Sequence, residues 1–227
     1  MVQLDLLPDA QGKRTYRLTE LHKTGPVYMA DYASEATRAP EEAFRRLPGE
    51  EGIWILVFGD MVVFGLLFLT FSFYRAENVG LYRSGQDLLN EQLGLVNTLL
   101  LLTSSWAVAL AVRNVRLGLR TQASTLLGIA VALGCSFVMI KIAEYHEKIA
   151  AGITLLTNDF FSYYFVITGI HLTHVLVGIG VLIFLILRTR RAALVVDDVR
   201  VFESGAIFWH LVDLLWLVIF ALLYLTR

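Results

Sequence analysis

Three pairs of ionisable side chains sit at helical spacing within or at the end of stretches otherwise fit for lipid. His171 and His174 interrupt the apolar run from Phe165 to Gly178. His210 and Asp213 interrupt the run from Phe208 to Trp216, and Glu144 and Glu147 close a third. A lone acid, Asp60, lies in a fourth. Residues three apart share a helix face. Imidazole and carboxyl groups so placed can hold a metal, ligate haem or relay protons. At lipid depth they are costly unless they face other helices or a polar pathway.

Each chemistry makes a demand that can be checked. Carboxylate bundles for two irons use Glu-x-x-His on two helices and a Glu from each of two others, and that pattern is absent from the sequence. A bis-histidine haem takes one ligand from each of two facing helices at one level. Counting rise per residue, His174 lies roughly 20 Å from the Arg188 end of its segment, whereas Asp60 is roughly 10 Å into its own. His210 and Asp213 lie at a depth similar to Asp60, so His174 and His210 do not meet the haem requirement. No nucleophile with an adjacent base and no phosphate loop is present. Interhelical hydrogen bonding is therefore expected of these groups. Asp213 either holds His210 or each pairs with another helix. Asp60, His210 and Asp213 are expected to form one inner polar layer, with Asp60 either a buried hydrogen-bonded carboxyl or a proton-linked one. No catalytic, cofactor-binding or metal-binding residue is assigned.

The remaining polar positions have structural readings. Lys141, Glu144 and Lys148 are expected to cap the outer interface with snorkelling side chains. Asn97 is expected to bond across helices, and Gly169, Gly178 and Gly180 to admit a close neighbour. Trp54, Trp106, Trp209 and Trp216 are expected to be interfacial anchors or packing groups, with Trp54, Trp209 and Trp216 at the interface or against lipid. Cys135, the single cysteine, lies in an apolar run and is expected to be a plain core residue.

The elements that position these groups follow from composition. Hydrophobic residues make up 56% of the 227, and the net charge is −1, which gives no basic surface for nucleic acid. Five apolar segments, near 53–74, 93–112, 125–147, 159–187 and 206–226, are long enough to span a bilayer. The spacing predicts an all-α, polytopic five-helix membrane bundle over 50–227. Residues 1–49 are expected to be a mostly irregular arm, with a short helix from Pro40 to Leu47 and no stretch of signal-peptide type. Lys and Arg crowd the arm, the second loop (Arg113, Arg116, Arg120) and the fourth (Arg188, Arg190, Arg191, Arg200). That places the N-terminus in the cytoplasm and the C-terminus outside.

The same residues carry a family resemblance. Gly52 through Phe64, Asn97-Thr98 through Thr103-Ser104-Ser105, Glu144-Tyr145, Thr168-Gly169-Ile170-His171 through His174-Val175, and Trp209-His210-Leu211-Val212-Asp213 through Trp216 resemble subunit III of the haem-copper oxidase superfamily. Asp60 falls where many members have a carbodiimide-reactive glutamate. Many members have seven spans; five are read here, without the two that form one arm of the family's lipid-holding cleft. The stretches Leu156–His171 and Phe202–Ala206 are most similar to the accessory branch associated with nitric oxide reductase. The resemblance implies a non-catalytic subunit of a respiratory complex in the bacterial cytoplasmic membrane. Its own chain would hold no haem or metal, which belong to the partner catalytic subunit, and it would contact membrane phospholipid. It would stabilise a nitric oxide reductase. The alternative is subunit III of an oxygen-reducing cytochrome c or quinol oxidase, supporting proton uptake. An independent membrane transporter is a third class.

Overall fold

The computed structural model describes residues 6–8, 14–16, 51–189 and 196–226. The expected Pro40–Leu47 helix and the loop residues Arg190 and Arg191 fall outside them. Met1–Arg46 and Leu47–Arg227 are separate compact units. In the first, β1 (Leu6–Pro8) and β2 (Arg14–Tyr16) pair antiparallel, Leu6 opposite Tyr16 and Pro8 opposite Arg14. Part of the arm read as irregular is thus a short hairpin; alternation over three residues is too brief to register as a strand signal.

The second unit is helical. Its elements are α1 (Glu51–Glu77), α2 (Val79–Asp87), α3 (Glu91–Arg116), α4 (Arg120–Ala150), α5 (Asp159–Thr189) and α6 (Val196–Phe220), which ends in a π-helical turn over Ala221–Leu225. Five helices, all but α2, are long and apolar enough to cross a membrane. The spacing did not anticipate α2. It is too short and polar to span, but it buries Tyr82, Gly85 and Gln86 on one face.

Local sequence sets the boundaries. The Asn90 side chain accepts a hydrogen bond from the Leu93 amide at the start of α3, and Asn158 caps α5 through the Phe161 amide. The α4 C-terminus closes with Gly152 at φ +77°. Its amide bonds to the Ile149 carbonyl, and the Ile153 amide bonds to the Lys148 carbonyl. This paired closure favours glycine because a side chain is strained there. Gly118, at φ +75°, closes α3 in the same way.

Helices α3, α4, α5 and α6 close a ring in which each packs on the next and α6 returns to α3. Helix α1 lies outside it, against α5 and α6, and has the least of its surface covered by the bundle. Its buried seam holds Phe64 and Phe71, while Ile55, Phe58, Leu66 and Leu69 stand exposed. An apolar helix covered on one seam only is suited to lipid or to another membrane chain on its remaining faces.

Candidate functional site: interior polar contacts of the bundle

The buried face of α4 runs Ala123, Leu127, Ala130, Gly134, Phe137, Lys141, Glu144 and Lys148. Steps of three and four keep these residues on one stripe. Lys141 and Glu144 are therefore core residues, each 1% exposed. The Lys141 ammonium donates to Glu144 Oε2 at 2.8 Å and to the Tyr224 hydroxyl at 2.9 Å. Tyr224 in turn donates to Glu144 Oε1 at 2.7 Å. The ammonium also lies 4.8 Å from the centre of the Trp216 ring. Lys148 donates to the Leu88 carbonyl. This replaces the expected snorkelling cap: Lys141 and Glu144 bond to Tyr224 of the π-turn and Lys148 to the Leu88 carbonyl, so the stripe stays inward to the end of α4.

The π-turn is what brings Tyr224 there. Widening the helix frees carbonyls from the usual ladder, and Gln86 of α2 donates to those of Leu222 and Leu223 at 3.3 and 3.2 Å. Arg75 of α1 donates to the Thr226 carbonyl. Tyr82, beside Gln86, packs edge-on to Phe71 and Phe160, and burial pushes its phenol up to about 12.

The histidines occupy three unlike places. His171 is fully buried and stacks on Trp216 at 5.4 Å, with Phe137 edge-on at 5.7 Å. His210 meets Ser105 of α3 through its Nδ1, across the bundle and not down its own helix to Asp213. Asp213 is 7% exposed. His174 Nε2 lies 3.3 Å from Asp60 Oδ1. The expected layer of Asp60, His210 and Asp213 is therefore corrected: the partner of Asp60 is His174. Counting depth along the sequence set His174 at a different level from Asp60, whereas the structure puts the two within hydrogen-bond distance. Among the described residues no group of three or more His, Cys, Asp or Glu side chains is arranged to hold a metal ion.

Several other positions resolve. Trp209 and Trp216, expected at lipid or interface, are 1% and 0% exposed. The Trp216 indole donates to Thr98 Oγ1 at 3.0 Å. Trp209 lies against Gly178 of α5 and Gly134 of α4, where an added Cβ would meet its ring at 2.7 and 2.9 Å. Gly169 and Gly180 have open space beside them, so only Gly178 of the three admits a close neighbour. Trp54 is half-buried, whereas Trp106 is 67% exposed. Cys135, expected in the core, is exposed on the outer face of α4. Asn97 is fully buried, and its amide has no hydrogen-bond partner among the described residues. Tyr145, of the Glu144-Tyr145 motif, bonds to Thr168 at 2.6 Å and ties α4 to α5. Ser104 donates to the Ala130 carbonyl and ties α3 to α4. Sequence reasoning missed Tyr224 and Ser105 as site residues. The α4 stripe, extended past Phe137, was the signal that would have turned Lys141 inward.

These contacts can clamp helices together and keep charge neutralised in a dry interior. Among the described residues they present no open position where a substrate atom sits between a nucleophile and an acid. The family model described as cytochrome c oxidase subunit III matches residues 18–226. The chain is 30% identical over 174 residues to the cytochrome bo(3) ubiquinol oxidase subunit 3 of Pseudomonas aeruginosa, covering 77% of this chain and 83% of that one. It is 30% identical over 174 residues to the quinol oxidase subunit 3 of Bacillus subtilis, covering 77% and 85%. It is 28% identical over 174 residues to the cytochrome c oxidase subunit 3 of Bacillus sp. strain PS3, covering 77% and 84%.

Proposed function

From the premise that this chain belongs to the cytochrome c oxidase subunit III family, we propose that it is the non-catalytic third subunit of an oxygen-reducing haem-copper oxidase. Such subunits partner the catalytic subunits, which carry the haem and copper. The observation that carries the oxidase reading is the shared length: more than three quarters of the chain aligns with subunits named for quinol and cytochrome c oxidases. The interior supports an accessory role, since its histidines are committed to Trp216, Asp60 and Ser105. Association with a nitric oxide reductase is the second reading, favoured by the Leu156–His171 and Phe202–Ala206 motifs.

The chain is a multi-pass membrane protein. Its N-terminus is cytoplasmic and its C-terminus outside, in a bacterial inner membrane, by the basic loops. The exposed apolar faces of α1 meet phospholipid chains. Its contribution to the complex is stability of the catalytic subunit.

Purification of the tagged native protein in mild detergent, with identification of its partners, tests this. Oxidase subunits I and II are the expected companions. A nitric oxide reductase catalytic subunit in their place would transfer the assignment. No companion at all, with solute flux in liposomes, would replace the accessory role by transport.

A further inference from the structure

Two polar side chains are sealed inside the four-helix ring with every hydrogen-bonding atom unmet. Asn97 of α3 and His171 of α5 are each 0% exposed. Neither the oxygen nor the nitrogen of the Asn97 amide has a partner among the described residues, and neither nitrogen of the His171 ring has one. Buried polar groups are hydrogen-bonded as a rule, and a bond left unmade is costly. The demand is mixed. The amide brings two hydrogens and an acceptor oxygen, and a neutral imidazole brings one donor and one acceptor.

Contacts around Trp216 bring the two groups to one layer. Ser104 bonds to the Ala130 carbonyl and fixes the register of α3 against α4. Two turns from there toward the outer end, Asn97 and Phe137 stand at one level on the buried stripes of their helices. Phe137 meets His171 edge-on at 5.7 Å and Trp216 at 4.8 Å. Thr98, next to Asn97, accepts from the Trp216 indole, whose ring stacks on His171. Lys141 adjoins the same layer, with its ammonium 4.8 Å from the centre of the Trp216 ring. Of its three hydrogens, one goes to Glu144 and one to Tyr224. Helices α3 and α5 each pack on α4 and α6 and so stand on opposite sides of the ring.

We propose that water held between Asn97 and His171 braces α3 to α5 across the interior of the ring. The occupant follows from the demand. It must be small enough to enter a closed bundle, and it must donate and accept at once. An apolar gas does neither, and an inorganic ion would bring uncompensated charge to lipid depth. Buried water typically makes about three hydrogen bonds to polar groups that lack other partners. Asn97, His171 and the third hydrogen of Lys141 are groups of that kind. The brace belongs to the chain itself and does not depend on which oxidase it joins.

The test is a crystal structure of the full chain, grown from a lipidic mesophase, at a resolution that shows ordered water. Water peaks should link the two side chains, within hydrogen-bond distance of the Asn97 amide at one end and of a His171 nitrogen at the other. Asn97 bonded directly to His171, dry surroundings at either side chain, or water confined to one of them overturns the proposal. Asn97→Leu and His171→Phe give a second readout, by thermal unfolding in phospholipid nanodiscs. Joined through water, the two should be non-additive in a double-mutant cycle, with the double variant losing less melting temperature than the two singles together. Additive losses overturn the brace. Should a substituted chain not fold, the wild-type structure decides alone.

Discussion

Lys141 and Glu144 hold each other at 2.8 Å inside the bundle, one helical turn apart on α4, with side chains 2% and 1% exposed. Neither charge reaches water, so each depends on the other and on Tyr224. Removing one partner of a buried pair typically costs about 3–5 kcal/mol, because the survivor is left uncompensated. Glu144→Leu and Lys141→Met should each lower the melting temperature of the purified protein and its retention in the complex. The double substitution should lose less than either single one. If the double variant is as unstable as the sum of the two, the pair is not a closed unit.

Tyr224 accepts from Lys141 and donates to Glu144. Tyr224→Phe keeps the ring and removes both bonds. A buried group left unsatisfied costs about 1–3 kcal/mol, and that is the expected loss by thermal unfolding in detergent. Deleting Tyr224 through the C-terminus should cost more, since Arg75 would also lose its acceptor, the Thr226 carbonyl. Equal stability of Tyr224→Phe and wild type would mean the hydroxyl is not part of the cluster.

His210 and Ser105 should behave as one contact. His210→Leu and Ser105→Ala each break the same hydrogen bond between α6 and α3. Their effects in a double-mutant cycle should couple by about 1 kcal/mol. Asp213 also hydrogen-bonds Ser105, so Asp213→Leu should couple with Ser105→Ala as well. Coupling of His210→Leu to Asp213→Leu that persists in a Ser105→Ala background would restore the pairing along the helix that their spacing suggests.

The five spans, their order and the inward-facing motifs were legible because lipid imposes long apolar runs, and polar residues interrupt such runs only where a neighbour compensates them. Partner choice was not legible. Asp60 was matched by depth to His210 and Asp213, yet it meets His174, since counting from a basic residue assumes that residue marks the membrane surface. Spacing alone leaves Lys141 as a snorkelling cap at the interface, although the stripe from Ala123 to Phe137 points it inward. The π-turn left no trace in the pattern, so Tyr224 could not be placed.

Orientation has a direct check. Arg116 and Glu147 side chains are 57% and 67% exposed, at opposite ends of the α3–α4 hairpin unit. Exposed Cys135 would react as well and must first be replaced by alanine. Single cysteines at 116 and 147 in that background should label with impermeant reagents from opposite sides, 116 from the cytoplasm. The change at 116 removes only an exposed ion pair to Glu203, worth about 0–1 kcal/mol. Labelling of both from one side would refute the topology.

Trp209 is the wedge between α4 and α5, and its seat exists because Gly134 and Gly178 lack side chains. A methyl group at Gly178 would lie 2.7 Å from the indole ring and one at Gly134 2.9 Å, closer than van der Waals contact allows. The ring cannot swing away easily, since Trp209 is 1% exposed and held by neighbours on every side. Gly178→Ala should therefore destabilise by about 1–3 kcal/mol, the usual cost of overpacking, despite the better helix propensity of alanine. Gly169→Ala and Gly180→Ala, on the same helix but facing open space, serve as controls and should be neutral or slightly stabilising. Trp209→Phe, combined with Gly178→Ala, should recover part of the loss by giving the methyl room. If all three alanine variants melt alike, the close approach of Trp209 to α5 is not what fixes the packing of α6.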